Sequence, residues 1–393
     1  MKTNFFLFGM AFLVFLAEAE IDIVVPSFPG MMNYYGTSVA QTEWVLTLNL
    51  IAHGIAGLVI GSLADIYGKR KTLLAGLTVF ILGSVLTIFS GSFELLLLGR
   101  ILQGAGMASP MVVGYLILIQ GVNKSEKEQR IATLNGVANI SLAFSPAIGG
   151  LFVAFFSWHA SFKLLLALGI IALLITLRIV PKDRQEHATA SSGAYSILLK
   201  DSKQLKLILA TLFLPAAWFT FVGLSSILYV NYMGVPVMQY AFHQGGIALF
   251  YGLISLYLYK IIQLLSKKVV EILSLALLIL ATIGIIAGYI LNWYTPAYVT
   301  TTMLIGSVGS IYLTNRSQVL AVTYRSAWAG KVSALIMLGR WLLTAILLQI
   351  AGGIYQTNES LTIITVALSW IAGGVFIWIV SKEHNLTDND SVS

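Results

Sequence analysis

Residues 41–90 read QTEWVLTLNLIAHGIAGLVIGSLADIYGKRKTLLAGLTVFILGSVLTIFS, two long apolar runs joined by a short loop that holds Lys69, Arg70 and Lys71. Hydrocarbon offers no partner to backbone amides and carbonyls, so runs of about 20 apolar residues must close their own hydrogen bonds there as helices. The same alternation continues in both directions. Spans are expected near 5–27, 41–62, 71–90, 94–117, 130–156 and 160–181, then near 206–232, 239–263, 268–290, 294–318, 327–352 and 358–380. The fold class is therefore an all-α membrane protein of twelve transmembrane helices. With 58% hydrophobic and 10% charged residues, the chain has too little polar surface for a soluble protein of 393 residues. Segment one starts almost at Met1, but it carries Glu18, Glu20 and Asp22 and lacks a small-residue cleavage site, so it reads as a retained helix.

Orientation follows from the basic residues. Lys69, Arg70, Lys71, Lys124, Lys127, Arg130, Lys182, Arg184, Lys200, Lys203, Lys206, Lys267, Lys268, Arg325 and Lys331 lie in or beside the loops after even-numbered segments. The loops after odd-numbered segments, near 28–40, 91–93, 157–159, 233–238, 291–293 and 353–357, hold no lysine or arginine. The positive-inside rule then puts both termini in the cytoplasm, as expected for a multi-pass protein of a bacterial inner membrane. The formal charge of +7 is a topology signal dispersed over short loops, and it does not form a nucleic-acid footprint. The absence of cysteine excludes thiolate metal sites and a cysteine nucleophile, and the five histidines are not spaced as a ligand pair. No phosphate loop or nucleophile elbow occurs. An enzyme, a bound metal and a cofactor are not expected, so the energy for any work must come from a gradient or a partner.

The longest polar stretch, 182–205, divides the segments six and six. It reads as a cytoplasmic linker between an N-terminal bundle (1–181) and a C-terminal bundle (206–381), with a tail at 382–393. An internal echo supports a parallel repeat: Ala147-Ile148-Gly149-Gly150-Leu151-Phe152 in segment five and Ile350-Ala351-Gly352-Gly353-Ile354-Tyr355 in segment eleven.

Between segments two and three, Gly61-Ser62-Leu63-Ala64-Asp65-Ile66-Tyr67-Gly68-Lys69-Arg70-Lys71 resembles the signature loop of the major facilitator superfamily, G-x-L-a-D-r-x-G-r-k, with Ile66 in place of the usual arginine. Gly61 would let neighbouring helices approach and Gly68 permits a tight turn, while Asp65 can serve a helix N-terminus. The resemblance further implies that Gly61, Asp65, Gly68, Lys69 and Arg70 belong to a cytoplasmic latch between the halves. In the second half the corresponding loop is only Ser266-Lys267-Lys268. Arg100-Ile101-Leu102-Gln103-Gly104-Ala105-Gly106 in segment four is similar to a second superfamily motif, R-x-x-q-G-x-g. Ser145-Pro146-Ala147-Ile148-Gly149-Gly150 in segment five is similar to the antiporter motif g-x-x-x-G-P-x-x-G-G, with Ser141 and Ser145 replacing its first two glycines. Pro146 with Gly149 and Gly150 predicts a kinked, closely apposed helix.

Segment one carries the sharpest chemistry. Glu18 and Asp22 are four residues apart and share a helical face, while Glu20 points roughly 200° away from Glu18. A buried acid beside a like charge can hold a proton, which proton coupling requires. Asp22 is the expected partner of Arg100, Glu18 the expected proton carrier, and Glu20 the acid expected outside the central cavity. Arg340 lies halfway along segment eleven, and no acid is available in the core of segments seven to twelve. It should meet an acid of segment one, a substrate anion, or carbonyls and water. Arg316 is read as a snorkelling end residue. Glu18, Arg340, Trp341 and Tyr229 are the expected substrate contacts, with Trp218, Tyr232, Tyr251 and Tyr257 supplying further aromatic faces.

Over nearly its whole length the chain resembles a twelve-helix major facilitator transporter. Asp22 followed by Pro26 and Pro29, and the motif in segment five, look most like the drug:proton antiporter branch that includes the bicyclomycin and chloramphenicol exporters. The resemblance implies a monomer in the lipid bilayer that exchanges protons for a small molecule by alternating access. A transporter of a small organic anion, such as a polycarboxylate metallophore or metabolite moved in either direction, is the alternative that Arg340 favours. A non-transporting membrane receptor would call for a soluble domain or long structured loops, and the sequence provides neither.

Overall fold

The computed structural model describes residues 2–118, 124–181, 194–325 and 328–390, and among these the regular structure is helical throughout. Lys182, Arg184 and half of the expected linker, 182–193, lie outside the described residues, as do the side chains of Lys124 and Lys127. The first half of the chain contains α1 (Lys2–Val24), α2 (Phe28–Tyr35), α3 (Val39–Thr42), α4 (Trp44–Tyr67), α5 (Lys69–Ile88), α6 (Phe93–Leu118), α7 (Lys124–Phe155) and α8 (His159–Ile179). The second half contains α9 (Ala194–Lys200), α10 (Ser202–Ala210), α11 (Phe213–Ser226), α12 (Val237–Leu265), α13 (Lys267–Ile290), α14 (Pro296–Tyr324), α15 (Ala329–Thr357) and α16 (Ile364–Asp390).

Nine stretches among the described residues are long and apolar enough to cross a membrane. Three other long helices, α1, α7 and α14, are interrupted by polar groups, and α14 shows how such groups are tolerated. Its Ser307, Ser317 and Thr323 hydroxyls donate to the carbonyls of Met303, Leu313 and Val319 one turn back, so their polarity is spent within the helix.

Several expected spans are not single helices, and segments one and seven show why. Segment one runs as α1 and then tightens into a 3-10 turn at Val25–Ser27 around Pro26. There Ser27 Oγ donates to Trp158 O (3.2 Å) and lies 2.8 Å from Ser161 Oγ, anchoring the turn to α8. Segment seven is broken between α10 and α11 and finishes in a π-helical stretch at Ile227–Tyr232. Pro215 has no N–H for the carbonyl of Thr211, and its ring crowds that carbonyl, so the Thr211 and Leu212 amides turn to the nearer carbonyls of Ile208 and Leu209.

Glycines set the closest helix contacts. A methyl group at Gly106 would sit 2.6 Å from both Gly76 O and Phe80 N, and one at Gly104 would strike the carbonyl of Asn49. The glycines of the Arg100 motif therefore let α6 wedge between α4 and α5. The α4–α5 turn uses Gly68 at φ 98°, ψ 147°; the α12–α13 turn uses Ser266 at φ 67°, ψ 153°. The two halves thus repeat one backbone turn although only the first retains the glycine that adopts it without strain.

Candidate functional site

Arg100 is fully buried, and its partner is Glu20. Arg100 Nη1 donates to Glu20 Oε1 (2.5 Å) and Gln103 Oε1 (2.8 Å), and Nε donates to Val45 O (3.1 Å). Asn49 Nδ2 donates to the same Glu20 oxygen (2.8 Å) and to Arg100 O (3.1 Å), while Gln103 Nε2 donates to Ser84 Oγ (2.9 Å). This corrects the expected Asp22–Arg100 pair. Helical spacing states which acids of α1 share a face, but not which face meets α6. The Glu20 face packs on α4 and α6 and holds the structural pair, so Glu20 is the acid turned away from the second half.

The Glu18–Asp22 face looks across the molecule. Glu18 lies within electrostatic reach of Arg340 on α15 and Tyr115 on α6, and Arg340 is also within reach of Tyr251 on α12. Trp218 of α11 stacks on Tyr251 with ring centroids 5.8 Å apart. Asp22 is buried with Oδ1 unpartnered and lies within electrostatic reach of Tyr240 of α12. Arg340 Nε, Trp218 Nε1, Trp341 Nε1 and both polar atoms of the Gln244 amide are buried without a hydrogen-bond partner. Of these, Trp218 and Arg340 both lie by Tyr251, and unpartnered donors there suit a place that water or a polar solute enters.

Trp341 turns to the other side of α15, where its ring meets Phe219 (4.7 Å) and His53 of α4 (5.9 Å). Tyr229 stands apart from the Glu18–Arg340 group. It is buried within the second half, its hydroxyl 2.7 Å from Thr300 Oγ1, which in turn is 2.9 Å from His243 Nδ1. Its hydroxyl is held in that chain, away from Arg340, so the structure does not bring Tyr229 together with the other expected substrate contacts. Arg316 is not a snorkelling residue either, because it pairs with Glu271 of α13.

Glu43, His53, Asn49 and Gln244 were not singled out from the sequence. Glu43 sat at an expected helix end, where acids are commonplace; the others are single polar residues inside apolar runs, which was the one available signal.

The motif in segment five makes tertiary contacts. Gly149 lies against the Ile23 carbonyl of α1, and a methyl at Gly150 would sit 2.5 Å from Ala241 Cβ of α12. Where the motif has serine instead of glycine, Ser141 Oγ donates to Phe15 O (2.9 Å) and Ser145 Oγ to Ser141 O (2.6 Å). The echoed glycines in α15 contribute a second cross-half contact, with Gly352 against Ala40 and Glu43. From there α4 and α15 stay together through Gln349 Nε2 donating to Thr47 Oγ1 (2.9 Å), Gly54 against Leu338 and Gly57 against Met337. The opposite end of α4 is different. No atom approaches within 4 Å of the position a side chain would take at Gly61, so that glycine does not serve here as a contact point. Leu63, Asp65, Ile66 and Tyr67 are exposed. Arg70 Nη2 donates to Leu177 O (2.8 Å), tying the loop that also holds Lys69 to α8 of the same half.

Among solved structures, the fold is similar to a D-xylose-proton symporter (TM-score 0.80, 10% identity, 96% of this chain and 98% of that one). It is also similar to a peptide transporter in complex with sulfate (TM-score 0.77, 13% identity, 96% and 94%). Multidrug resistance protein MdtL of Salmonella typhimurium is 29% identical over 234 residues, 58% of this chain and 59% of that protein. MdtL of Citrobacter koseri is 28% identical over 243 residues, 61% and 62%. The matched region thus spans about six tenths of the length of these relatives. The sequence profile of the Major Facilitator Superfamily matches residues 10–348, and with the helical architecture, the Arg100 motif in its α4–α6 wedge and the facing Glu18 and Arg340, the chain belongs to that superfamily of membrane transporters.

Proposed function

We propose that this protein is a proton-coupled secondary transporter that exports small organic molecules from the cytoplasm of a bacterium by alternating access. In this reading twelve helices form two bundles of six, residues 1–181 and 206–381, joined by a cytoplasmic linker, and the monomer lies in the inner membrane with both termini inside. The MdtL relatives, named for multidrug resistance, support drug-like substrates. The observation that carries the reading is the apposition of Glu18 on α1 and Arg340 on α15, one from each half of the chain. Rocking the halves changes the distance between that acid and that cation, and so changes how readily Glu18 binds a proton. Asp22 on the same face supplies a second carboxylate, while Arg100 acts through the buried pair that fixes α1 against α4 and α6. The Gly150 and Gly352 contacts at the end read as external and the exposed Asp65 at the other end support an inward-facing state in this reading.

The test is Glu18→Gln in proteoliposomes. The variant should insert and fold normally yet lose transport driven by a pH gradient; full pH-driven transport in that variant would remove Glu18 from the coupling step. A second reading, transport of an organic anion, is favoured by the unpartnered donors Arg340 Nε, Trp218 Nε1 and Trp341 Nε1, since guanidinium and indole N–H groups can only donate and suit an acceptor-rich ligand.

A further inference from the structure

Glu43 takes no part in either the Arg100 pair or the Glu18–Arg340 group, and its setting is unusual. It precedes α4 at the end of the molecule read as external, and its side chain is 0% exposed. Neither Oε1 nor Oε2 has a hydrogen-bond partner. Two glycines from the other half leave room for it. A methyl group at Gly352 of α15 would lie 3.3 Å from Glu43 Cγ, and one at Gly223 of α11 would lie 3.5 Å from Oε2. Leu46 and Leu348 close in on Gly223 and seal the seam with hydrocarbon.

Among the described residues no charge compensates the carboxylate. α11 carries no titratable side chain, α15 brings Tyr355 one turn beyond Gly352 and Arg340 about three turns before it, and α4 brings His53 about three turns inward. None of these acts electrostatically on Glu43. A carboxylate anion in a dry, partnerless seam is strongly disfavoured, whereas the neutral acid costs only its unmade hydrogen bonds.

We propose that Glu43 is a second proton-binding site of the transport cycle, loaded when the external ends of the two halves close and emptied when they part. Opening the seam withdraws Gly352 and Gly223, admits water and lets the carboxylic O–H pass its proton to solvent, leaving a hydrated carboxylate. Closing requires that proton back. External acidity therefore favours the closed seam, and external alkalinity favours the open one. This rests on the alternating-access reading above, but it concerns a group that Glu18 does not touch.

The chain has no cysteine, so single cysteines introduced at the exposed Asn33 and Gln356 can carry spin labels on either side of the seam. Distances would be measured in nanodiscs without substrate or gradient from pH 5 to pH 8. One proton bound in the closed form and released in the open form makes the closed-to-open ratio fall about tenfold per pH unit above the range where an exposed glutamate titrates, about 4.3. Glu43→Gln should hold the short distance to higher pH than the parent and leave only the part of the pH response that runs through Glu18, with the short distance kept at every pH when Glu18→Gln is added; Glu43→Leu, which fills the same seam with hydrocarbon, should do likewise if the glutamine variant does not fold. Glu18→Gln alone should keep the part of the pH response that Glu43 carries. A pH response unchanged in Glu43→Gln or Glu43→Leu would overturn the proposal, as would pH-independent distances in the parent. Failure of proton-coupled transport is separable: if no pH gradient drives transport but the seam responds to pH through Glu43, the coupling reading falls and this inference stands.

Discussion

Removing Glu20 should damage this protein more than removing any other acid of α1. Arg100 and Glu20 are both 0% exposed and 2.5 Å apart, and Arg100 leans on Gln103 and the Val45 carbonyl as well. Breaking a buried pair from one side leaves an uncompensated charge, which costs about 3–5 kcal/mol, or two to nearly four orders of magnitude in the folded-to-unfolded ratio. Glu20→Gln and Arg100→Met should each approach that loss. The double variant leaves no lone charge, so it should be less damaged than the sum of the two by about 2 kcal/mol or more. Asp22→Asn combined with Arg100→Met should instead be additive to within about 0.5 kcal/mol. Reversible unfolding in mixed micelles would give the four corners of each cycle. Additivity for Glu20 with Arg100, together with coupling for Asp22 with Arg100, would refute the assignment and restore the pair expected from the sequence.

Two further outcomes bear on ligand and latch. Arg340→Gln should abolish binding of a carboxylate ligand while a lipophilic cation still binds or binds more tightly, if the unpartnered donors of the second half recognise an anion. Calorimetric titration with one ligand of each class checks this, and unchanged preference with lower fold stability would make Arg340 structural. Asp65→Asn should shift the population toward inward-facing forms, because Asp65 is exposed in this state and can gain a partner only when the inner ends approach. Spin labels at the inner ends of α4 and α15 would report the shift, and unaltered distances would count against a latch.

The helices, their approximate ends and the charge asymmetry of the loops were legible from residue order, because backbone hydrogen bonding in hydrocarbon is a local demand that any long apolar run must meet in the same way. Local chemistry also made the Pro146–Gly149–Gly150 contact and the turn at Gly68 readable. What required the tertiary structure was every choice among faces. Helical periodicity separated Glu20 from Glu18 and Asp22 by angle, but the rotation of α1 about its axis, which gave Arg100 to Glu20, is set by how α4 and α6 pack around it. Arg316 found Glu271 on another helix, and Tyr229 spent its hydroxyl on Thr300, for the same reason. Glu43 is the extreme case. In sequence it is an acid at the mouth of an apolar run, indistinguishable from a solvated helix end, and it becomes a buried acid only because Gly223 and Gly352, 180 and 309 residues further along, close over it from the other half of the chain. Residue order dictates which groups a helix carries; the dielectric and the partners each group meets are properties of the packed assembly, and those decide whether an acid is a surface charge, half of an ion pair or a proton carrier.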